Sequence, residues 1–279
     1  MKFTLQDSAG QAYEAYAYTG GKAFDASQPT VVFIHGVLGD HSVWILQTRY
    51  LAHHDFNVLA VDLPGHARSG GEAPSSVEEA SQFIEALLDA AGVQRAALVG
   101  HSWGSLIALE TAGRLKDRIS HIALVGTAFP MKVSPALLES SLNEPMKAIE
   151  MINVFSRATL AALPSALGPG TWVFGANTAL NRRVLASNPK VNVLHRGFRA
   201  CDSYANGLQA MANLTCKVLF VLGQQDQMTT PRGAQSLVNQ ARDSGKKHEV
   251  VTVPMGHHQM TESPEETLQA LQRFLTTRL

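Results

Sequence analysis

Ser102 has the setting in this sequence that most clearly indicates chemistry. It lies in Gly100–Gly104 (GHSWG), directly after the apolar run Ala97–Val99 and directly before Ser105–Glu110, where a helical pattern begins. A sharp turn between a strand and a helix presents a serine hydroxyl to a substrate, and the glycines on either side let strand and helix approach closely. The pattern therefore predicts that Ser102 is an activated nucleophile.

A serine hydroxyl attacks a carbonyl carbon efficiently only when a neighbouring base takes its proton. Among the eleven histidines, His257 follows the last predicted strand and precedes the last predicted helix. A loop in that place can bring a side chain over the carboxyl edge of a sheet. We predict that His257 is the base, with the adjacent His258 as the alternative. A loop position with partial exposure is the plainer interpretation of His258.

The imidazole in turn needs a carboxylate that fixes its tautomer and stabilises its charged form. Asp226 follows the apolar run Val218–Leu222, so it lies at the same predicted sheet edge as the serine. Asp62 also ends a predicted strand, but it precedes Ser102, and the chain order Ser–Asp–His favours Asp226. We therefore predict that Asp226 is the acid and that Asp62 orders its own loop.

The negative oxygen of a tetrahedral intermediate needs hydrogen-bond donors that are already in place. The backbone N–H of Trp103, the residue after the nucleophile, is one predicted donor. The loop His35–Gly39 supplies the other, with the backbone N–H of Val37 as our prediction and that of Leu38 as the alternative. The His35 side chain is expected to brace this loop by hydrogen bonding.

These residues require a sheet whose strand ends meet at one edge. Apolar runs without polar alternation predict strands that are covered on both faces of a mostly parallel sheet. The runs are Thr30–Ile34, Val58–Val61, Ala97–Val99, Ile122–Val125, Val218–Leu222 and Val250–Val253. More mixed segments around Phe3–Leu5 and Ala12–Tyr18 predict an antiparallel edge hairpin. Helix-start signatures at Ser76–Glu79 and Ser263–Glu266 complete the alternating order of a doubly wound α/β fold.

The stretch between the fourth and the fifth of these runs contains no segment typical of a buried strand. It carries apolar repeats at helical spacing instead, one beginning at Ala148 and one at Val191. We predict a helical cap over residues 130–213, inserted into an α/β core formed by residues 1–129 and 214–279.

The predicted substrate pocket combines loop residues with residues of the cap. Most methionines and aromatic residues of the cap are expected to pack internally, with some of them facing the cleft. The indole of Trp103 either lines the pocket or packs beneath the cap. The predicted pocket residues are His35, Leu38, Trp103, Phe129, Phe155, Trp172 and His258.

Taken together, the landmarks resemble those of the α/β-hydrolase superfamily along most of the chain. They are His35–Gly36, Asp62–Ser69 (DLPGHARS), Gly100–Gly104, Gly223–Asp226 and Gly256–His257. The resemblance implies an eight-stranded, mostly parallel sheet with a helical cap after the sixth strand. It also implies a Ser102–His257–Asp226 triad that works without a cofactor or metal. Ala67 departs from the pattern, because relatives often carry glycine there, and we expect a slightly altered loop.

Within that family the sequence looks most like the small capped serine esterases. Epoxide hydrolases and haloalkane dehalogenases use an aspartate nucleophile, and dienelactone hydrolases use a cysteine, so Ser102 argues against all three. We therefore expect hydrolysis of carboxylic esters through an acyl-enzyme. The alternatives are hydrolysis of C–C bonds, a lyase or cofactor-free peroxidase reaction with the same triad, or a ligand receptor on this fold. The GHSWG turn lacks the NSMGG and YSMGG look of many ring-fission hydrolases and menaquinone-pathway lyases.

The composition narrows the range of partners. Lys+Arg and Asp+Glu balance at 23 each, so no charge excess favours nucleic acid or an anionic membrane. No run approaches the ~18–20 apolar residues of a membrane span, and the N-terminus lacks the apolar segment of a signal peptide. Cys201 and Cys216 are expected to be reduced thiols. We expect a cytoplasmic protein, a monomer or homodimer, that acts on a small ester-like molecule.

Overall fold

The computed structural model describes residues 1–7, 9–25, 27–158 and 172–276, so residues 159–171 of the predicted cap lie outside the described part. The strands are β1 (Lys2–Gln6), β2 (Ala12–Tyr18), β3 (Thr30–Ile34), β4 (Asn57–Val61), β5 (Ala96–His101), β6 (Ile119–Val125), β7 (Lys217–Gly223) and β8 (His248–Val253). They form one sheet in the order β1-β2-β4-β3-β5-β6-β7-β8. Only β1 with β2 and β2 with β4 pair antiparallel. The predicted fold class and the predicted edge hairpin are confirmed.

Helices cover both faces of the sheet. They are α1 (Ile45–Ala52), α2 (Val77–Ala90), α3 (Trp103–Leu115), α4 (Pro135–Asn143), α5 (Pro145–Ser156), α6 (Val173–Ser187), α7 (Val193–Ser203), α8 (Gly207–Asn213), α9 (Gln235–Asp243), α10 (Gln259–Glu262) and α11 (Pro264–Thr276). Within the described ranges, no helix has both the length and the apolar character needed to cross a membrane.

The alternation of β3 shows why the strands are apolar throughout. Val32 and Ile34 point into the core under α2 and α3, whereas Val31 and Phe33 point into the core under α1 and α11. Successive side chains of a strand face opposite sides, so a strand between two helical layers buries every residue. This arrangement fixes the carboxyl ends of β3, β5 and β7 at one edge of the sheet.

β8 differs from this pattern, and the prediction that it is covered on both faces is wrong. It is the last strand of the sheet and pairs with β7 alone. Val250 is 46% exposed, and Val251 is only partly buried, although it packs against the core under α11. An apolar run therefore indicated the strand correctly but not its edge position.

Helices α4 to α7 follow β6 and, with Leu38 and Ala73, form a third hydrophobic cluster above the strand ends. α8 falls inside the predicted cap boundary, but it packs on α3 of the sheet domain. A side chain at Gly113 of α3 would meet the backbone of Ala210 at 3.0 Å. In the following, the cap means α4 to α7.

Candidate active site

Ser102 joins the end of β5 to the start of α3 with φ 54° and ψ −121°. A positive φ is rare for residues other than glycine and is tolerated where the surroundings hold it. A Cβ atom at Gly100 would collide with the backbone of Gly104, and one at Gly104 would collide with the carbonyl of Ile34. Both glycines of the motif are thus needed for the strand, the turn and the helix to pack.

His257 and Asp226 form a buried pair at the same edge of the sheet. The ring Nδ1 of His257 donates to Oδ2 of Asp226 at 2.8 Å. Oδ1 of Asp226 accepts the backbone N–H groups of Met228 and Thr229, both at 2.8 Å, and Oδ2 also accepts the Thr229 hydroxyl at 2.7 Å. With Nδ1 carrying its proton, Nε2 of His257 is the nitrogen free to act as a base.

The ionised state of Asp226 depends on these contacts. Burial would raise the pKa of its carboxyl group, but the charge and hydrogen bond of His257 and the hydrogen bonds of Thr229 together lower that pKa below its usual value. A carboxylate that accepts several N–H and O–H donors is stabilised in its charged form. The site therefore holds a negative charge ready for an imidazolium.

The loop that carries His257 is tied both to the cap and to the sheet. The backbone N–H of His257 donates to the carbonyl of Ser156, the last residue of α5, at 2.7 Å. Its carbonyl accepts Nε2 of His101 at 2.8 Å. Burial, with a smaller contribution from neighbouring His257, lowers the pKa of His101 to about 3, so His101 acts here as a neutral donor.

The loop after β3 lies directly against the nucleophile. A Cβ atom at Gly36 would stand 3.1 Å from the Cβ of Ser102. The N–H of Gly39 donates to the carbonyl of Gly36 at 3.1 Å and closes a tight turn, in which Leu38 has φ 59° at a position that usually requires glycine. Val37, whose backbone N–H is the predicted oxyanion donor, lies in this turn between Gly36 and Leu38. Its role as a donor stays a prediction.

Hydrogen bonds hold this turn from two sides. From below, Nε2 of His35 accepts the N–H of Leu63 at 3.1 Å, and its Nδ1 donates to the carbonyl of Gly36 at 2.8 Å. From above, Nδ2 of Asn181 on α6 donates to the carbonyl of Leu38 at 3.1 Å. The geometry of the predicted oxyanion loop thus depends on the cap as well as on the sheet.

The loop after β4 is ordered by Asp62 and also contacts the cap. Oδ1 of Asp62 accepts the backbone N–H and the ring Nδ1 of His41, both at 2.8 Å, and Oδ2 accepts the N–H of Arg68 at 3.1 Å. Ala67 of this loop has φ 46°. Its N–H donates to Ser187 of α6 at 2.9 Å, so alanine keeps a left-handed backbone at this position.

Two cavities meet at Ser102. The smaller, about 40 Å³, is lined by the predicted oxyanion loop after β3, three histidines and residues of α6. Its polar lining residues are His101, Ser102, Asn177, Asn181, His257 and His258. The larger, about 310 Å³, has a mostly apolar lining that includes Met131, Leu137, Met151, Phe155 and Phe198. Val37, Ser102, Phe198 and Met228 line both cavities.

The predicted pocket residues divide into two groups. Leu38 and His258 line the smaller cavity, and Phe155 lines the larger one. The other four lie outside both linings and have no place in the substrate site proposed below. They are His35, Trp103, Phe129 and Trp172.

Each of these four residues lies outside the two cavity linings for a different reason. His35 is fully buried under the turn that it braces, and Trp103 is fully buried beneath α7, where its ring faces Gly197. Phe129 packs against Tyr204, with ring centroids 5.9 Å apart. Trp172 is 73% exposed before the start of α6.

Sequence reasoning did not identify several residues of the site, notably Thr229, Asn177 and Asn181. Thr229 could have been found, because an acceptor side chain commonly caps backbone N–H groups two or three residues further along the chain. No comparable local signal exists for the two asparagines, since their partners in the site are distant in sequence.

Cysteine and metal chemistry receive no support from the described residues. Cys201 and Cys216 are both free and buried. Cys201 lines the larger cavity, and its burial raises the pKa of the thiol, which disfavours the reactive thiolate. In the ranges given above, no group of three histidine, cysteine, aspartate or glutamate side chains is arranged to hold a metal ion.

A family model described as the α/β-hydrolase fold matches residues 29–264. The chain is also similar to the dihydrolipoyllysine-residue acetyltransferase component of the acetoin cleaving system in two bacteria. The Cupriavidus necator protein is 36% identical over 39% of this chain and 28% of its own length. The Pseudomonas putida protein is 26% identical over 88% of this chain and 63% of its own length. The chain thus spans less than two thirds of the length of these relatives.

Solved structures show the same fold. An enol-lactonase from Burkholderia xenovorans has a TM-score of 0.78 at 22% identity, covering 95% of this chain and 97% of the other. An esterase from Exiguobacterium antarcticum has a TM-score of 0.79 at 16% identity, covering 99% of this chain and 100% of the other. At such low identity these likenesses concern the fold alone.

Proposed function

Because the chain belongs to the α/β-hydrolase fold family, we propose that it is a serine hydrolase that cleaves carboxylic esters. The observation that carries this proposal is the buried His257–Asp226 pair at the cavity that also contains Ser102 on its turn with positive φ. A nucleophile, a base and an acid in that arrangement are suited to acyl transfer. The esterase and enol-lactonase among the similar structures are consistent with this reaction class.

The proposed reaction proceeds in two halves. Oγ of Ser102 attacks the acyl carbon while Nε2 of His257 takes the hydroxyl proton, and Asp226 stabilises the resulting imidazolium. The N–H groups of Val37 and Trp103 stabilise the negative oxygen of the tetrahedral intermediate. His257 then protonates the departing alkoxide. In the second half Nε2 of His257 takes a proton from a water molecule that attacks the acyl carbon. His257 then returns this proton to Oγ of Ser102 as the bond between Oγ and the acyl carbon breaks and the carboxylic acid leaves.

The test combines turnover with covalent labelling. We expect the protein to hydrolyse short and medium p-nitrophenyl esters and to form one adduct with a serine-directed phosphonate, located on Ser102 by mass spectrometry. Ser102→Ala should abolish the adduct and lower kcat by several orders of magnitude while the fold persists, since the nucleophile acts as a unit with its base. The matched control is Ser105→Ala, which alters a serine in the first turn of α3 and should still be labelled.

Three outcomes would contradict the proposal. A wild-type protein with neither turnover nor adduct is not a serine hydrolase, and a ligand receptor on this fold would then be the better hypothesis. Adduct formation on Ser102 without ester turnover would favour C–C bond hydrolysis or a lyase reaction. Turnover that survives Ser102→Ala would show that another group performs the chemistry.

A further inference from the structure

We propose that the smaller cavity is the subsite for the leaving alcohol, and that Asn181 and His258 select a short alcohol that carries a hydroxyl group. The inference rests on the esterase function proposed above and adds to it the class of substrate. It follows from four observations: which cavity contains the base, how large that cavity is, and which polar atoms of Asn181 and of His258 lack partners.

The position of the base assigns the two halves of the ester. Ser102 and Val37 line both cavities, as expected for residues that hold the scissile carbonyl at the junction. His257 lines the smaller cavity but is not in the lining of the larger one. A general acid must lie within hydrogen-bond reach of the oxygen that it protonates. The alcohol therefore leaves through the smaller cavity, and the acyl chain occupies the larger, apolar one.

The smaller cavity encloses only the first few atoms of the alcohol, so a larger leaving group such as p-nitrophenolate must extend beyond it. Its volume is about 40 Å³, and a water-sized group needs roughly 10–15 Å³ on the same measure. About three non-hydrogen atoms therefore fit beyond the ester oxygen. The larger cavity, about 310 Å³, lies at the lower end of the ~300–1,000 Å³ typical of ligand pockets.

Asn181 presents a hydrogen-bond acceptor whose orientation is fixed. Its Nδ2 donates to the carbonyl of Leu38 at 3.1 Å. Because Oδ1 carries no hydrogen, a 180° rotation of the amide group would lose this hydrogen bond. Oδ1 is buried and has no hydrogen-bond partner among the described residues. Buried acceptors in folded proteins are normally paired, and Asn181 lines the smaller cavity, so its unpaired Oδ1 is suited to a donor on the substrate.

His258 supplies a second open group on the lining of the same cavity. Burial and the nearby charge of Arg157 lower the pKa of its ring well below the usual value, so the ring is neutral. Its Nε2 is buried without a partner among the described residues, while its backbone N–H donates to Glu262 at 3.0 Å. A neutral ring nitrogen makes one hydrogen bond, as donor or acceptor according to tautomer.

A hydroxyl group matches this pair better than the other common substituents. A hydroxyl suits either group, because it can donate its proton to Oδ1 of Asn181 or exchange a hydrogen bond with Nε2 of His258. An alkyl group leaves both protein atoms unpaired, and a carboxylate directs negative oxygens at the Asn181 acceptor. Sites built to bind a substrate hydroxyl discriminate strongly against analogues that lack it, because their own polar groups then stay unpaired.

Two hexanoate esters of equal size test the proposal. The 2-hydroxyethyl and the propyl ester differ only by a hydroxyl in place of a methyl group. We expect kcat/KM of the wild-type protein to favour the hydroxyethyl ester by about tenfold or more, after correction for the ratio of their hydroxide-catalysed rates. Asn181→Leu, which keeps the volume, should bring this ratio close to one, and His258→Phe should lower it in part. Phe155→Leu, in the larger cavity, should leave it unchanged.

The ratio of kcat/KM for the two hexanoate esters separates a change in substrate selectivity from a general loss of activity. Asn181 also holds the oxyanion loop, so its substitution should slow both esters, but only a lost contact to the hydroxyl changes their ratio. A wild-type ratio near one overturns the subsite while p-nitrophenyl turnover and the Ser102 adduct leave the hydrolase function standing. A wild-type preference that persists in Asn181→Leu also overturns it, because the hydroxyl is then recognised elsewhere. If p-nitrophenyl esters are not hydrolysed and no adduct forms, the function itself fails.

Discussion

The polar groups of Asp226 and His257, at the sheet edge below Ser102, have hydrogen-bond partners within the protein. Two polar groups that line the smaller cavity do not. Below, both oxygens of Asp226 have partners, and Nδ1 of His257 is bound to one of them. Above, the Oδ1 acceptor of Asn181 is buried without a partner among the described residues, and so is Nε2 of His258, which lines the same cavity from the loop after β8. Groups that must hold a charge before the substrate arrives are paired within the protein. Groups that would recognise the substrate have no partner within the protein and can still form a hydrogen bond with it.

The two backbone positions with positive φ at the site differ in the same way. Ser102 is held by the packing of Gly100 and Gly104, which belong to its own motif. Leu38 is held in part by a hydrogen bond from Asn181, 143 residues away on the cap. The nucleophile is thus positioned by local sequence, whereas the predicted oxyanion loop depends on how the cap sits.

The largest effect should come from Asp226→Asn. An amide at this position can donate to Nδ1 of His257, which moves the ring proton to Nε2 and removes the base. We expect kcat to fall by about 10⁴-fold, the size known for this change in triads, with the melting temperature little altered. The phosphonate labelling rate of Ser102 should fall in parallel. A loss of less than tenfold in both rates would mean that Asp226 does not orient the base.

The candidate residues at the sheet edge could be predicted from the sequence, because the patterns that indicate them are local. The turn at Ser102, the strand end before Asp226 and the loop at His257 each lie within a few residues of an apolar run. Parallel strands then bring those ends to one edge without further information. The same reasoning predicted the start of α2, where Ser76 accepts the N–H of Glu79 at 3.1 Å.

The side chains of the cap region that face the site could not be predicted in the same way. Trp172 was chosen for its aromatic side chain, but residue type does not determine direction, and its side chain points to solvent. Asn181 reaches Leu38 only because α6 lies across the oxyanion loop, a tertiary arrangement with no repeat or motif to indicate it. Side chains that face a cleft are polar or apolar according to the ligand, so the usual burial pattern of a helix does not identify them.

His66 is one of several residues outside the two cavities whose buried polar atoms also lack a partner among the described residues. Its Nε2 is also buried without a partner among the described residues, but it lines neither cavity, and its Nδ1 donates to the carbonyl of Pro64 at 2.9 Å. Burial, with a smaller contribution from His35, lowers the pKa of His66 to about 3. This ring should therefore affect stability under acid and not substrate choice.

The sign follows from the lowered pKa. The unfolded chain binds a proton on this histidine near pH 6.5, whereas the folded protein resists it until about pH 3. The stabilising contribution is thus complete above pH 6.5 and is lost as the pH falls towards 3, by about 1.4 kcal/mol per pH unit. His66→Asn should reduce the acid-induced loss between pH 6.5 and 5 by about 2 kcal/mol in urea unfolding. Unchanged acid sensitivity would mean that the ring is already hydrated or charged.

Thr229→Val tests the pairing of the carboxylate in smaller steps. The change keeps the shape but removes the 2.7 Å hydrogen bond to Oδ2 of Asp226, leaving the two backbone donors on Oδ1. Hydrogen bonds to charged groups are worth about 1.5–3 kcal/mol, so we expect kcat to fall by about tenfold with KM unchanged. Thr230→Val is the matched control, because its hydroxyl accepts the N–H of Gly233 and does not contact Asp226. Equal losses in both variants would indicate general loosening of the loop.

The smallest effect should come from Arg183→Ala, which concerns the second contact between α6 and the oxyanion loop. Arg183 pairs with Asp40 at 2.6 Å, but its side chain is 61% exposed, and Asp40 also accepts the hydroxyl and N–H of Ser42. The guanidinium is exposed, but the Asp40 carboxylate is only 2% exposed and keeps its two hydrogen bonds from Ser42 when Arg183 is removed. Ion pairs that water can reach contribute about 0–1 kcal/mol, so we expect the free energy of unfolding to fall by at most about 1 kcal/mol and kcat by less than about fivefold. The buried amide of Asn181 should matter more than this charged pair, because water cannot replace its bond to Leu38. If Arg183→Ala slows both hexanoate esters as much as Asn181→Leu does, then charge attraction and not the buried amide holds the cap against the loop.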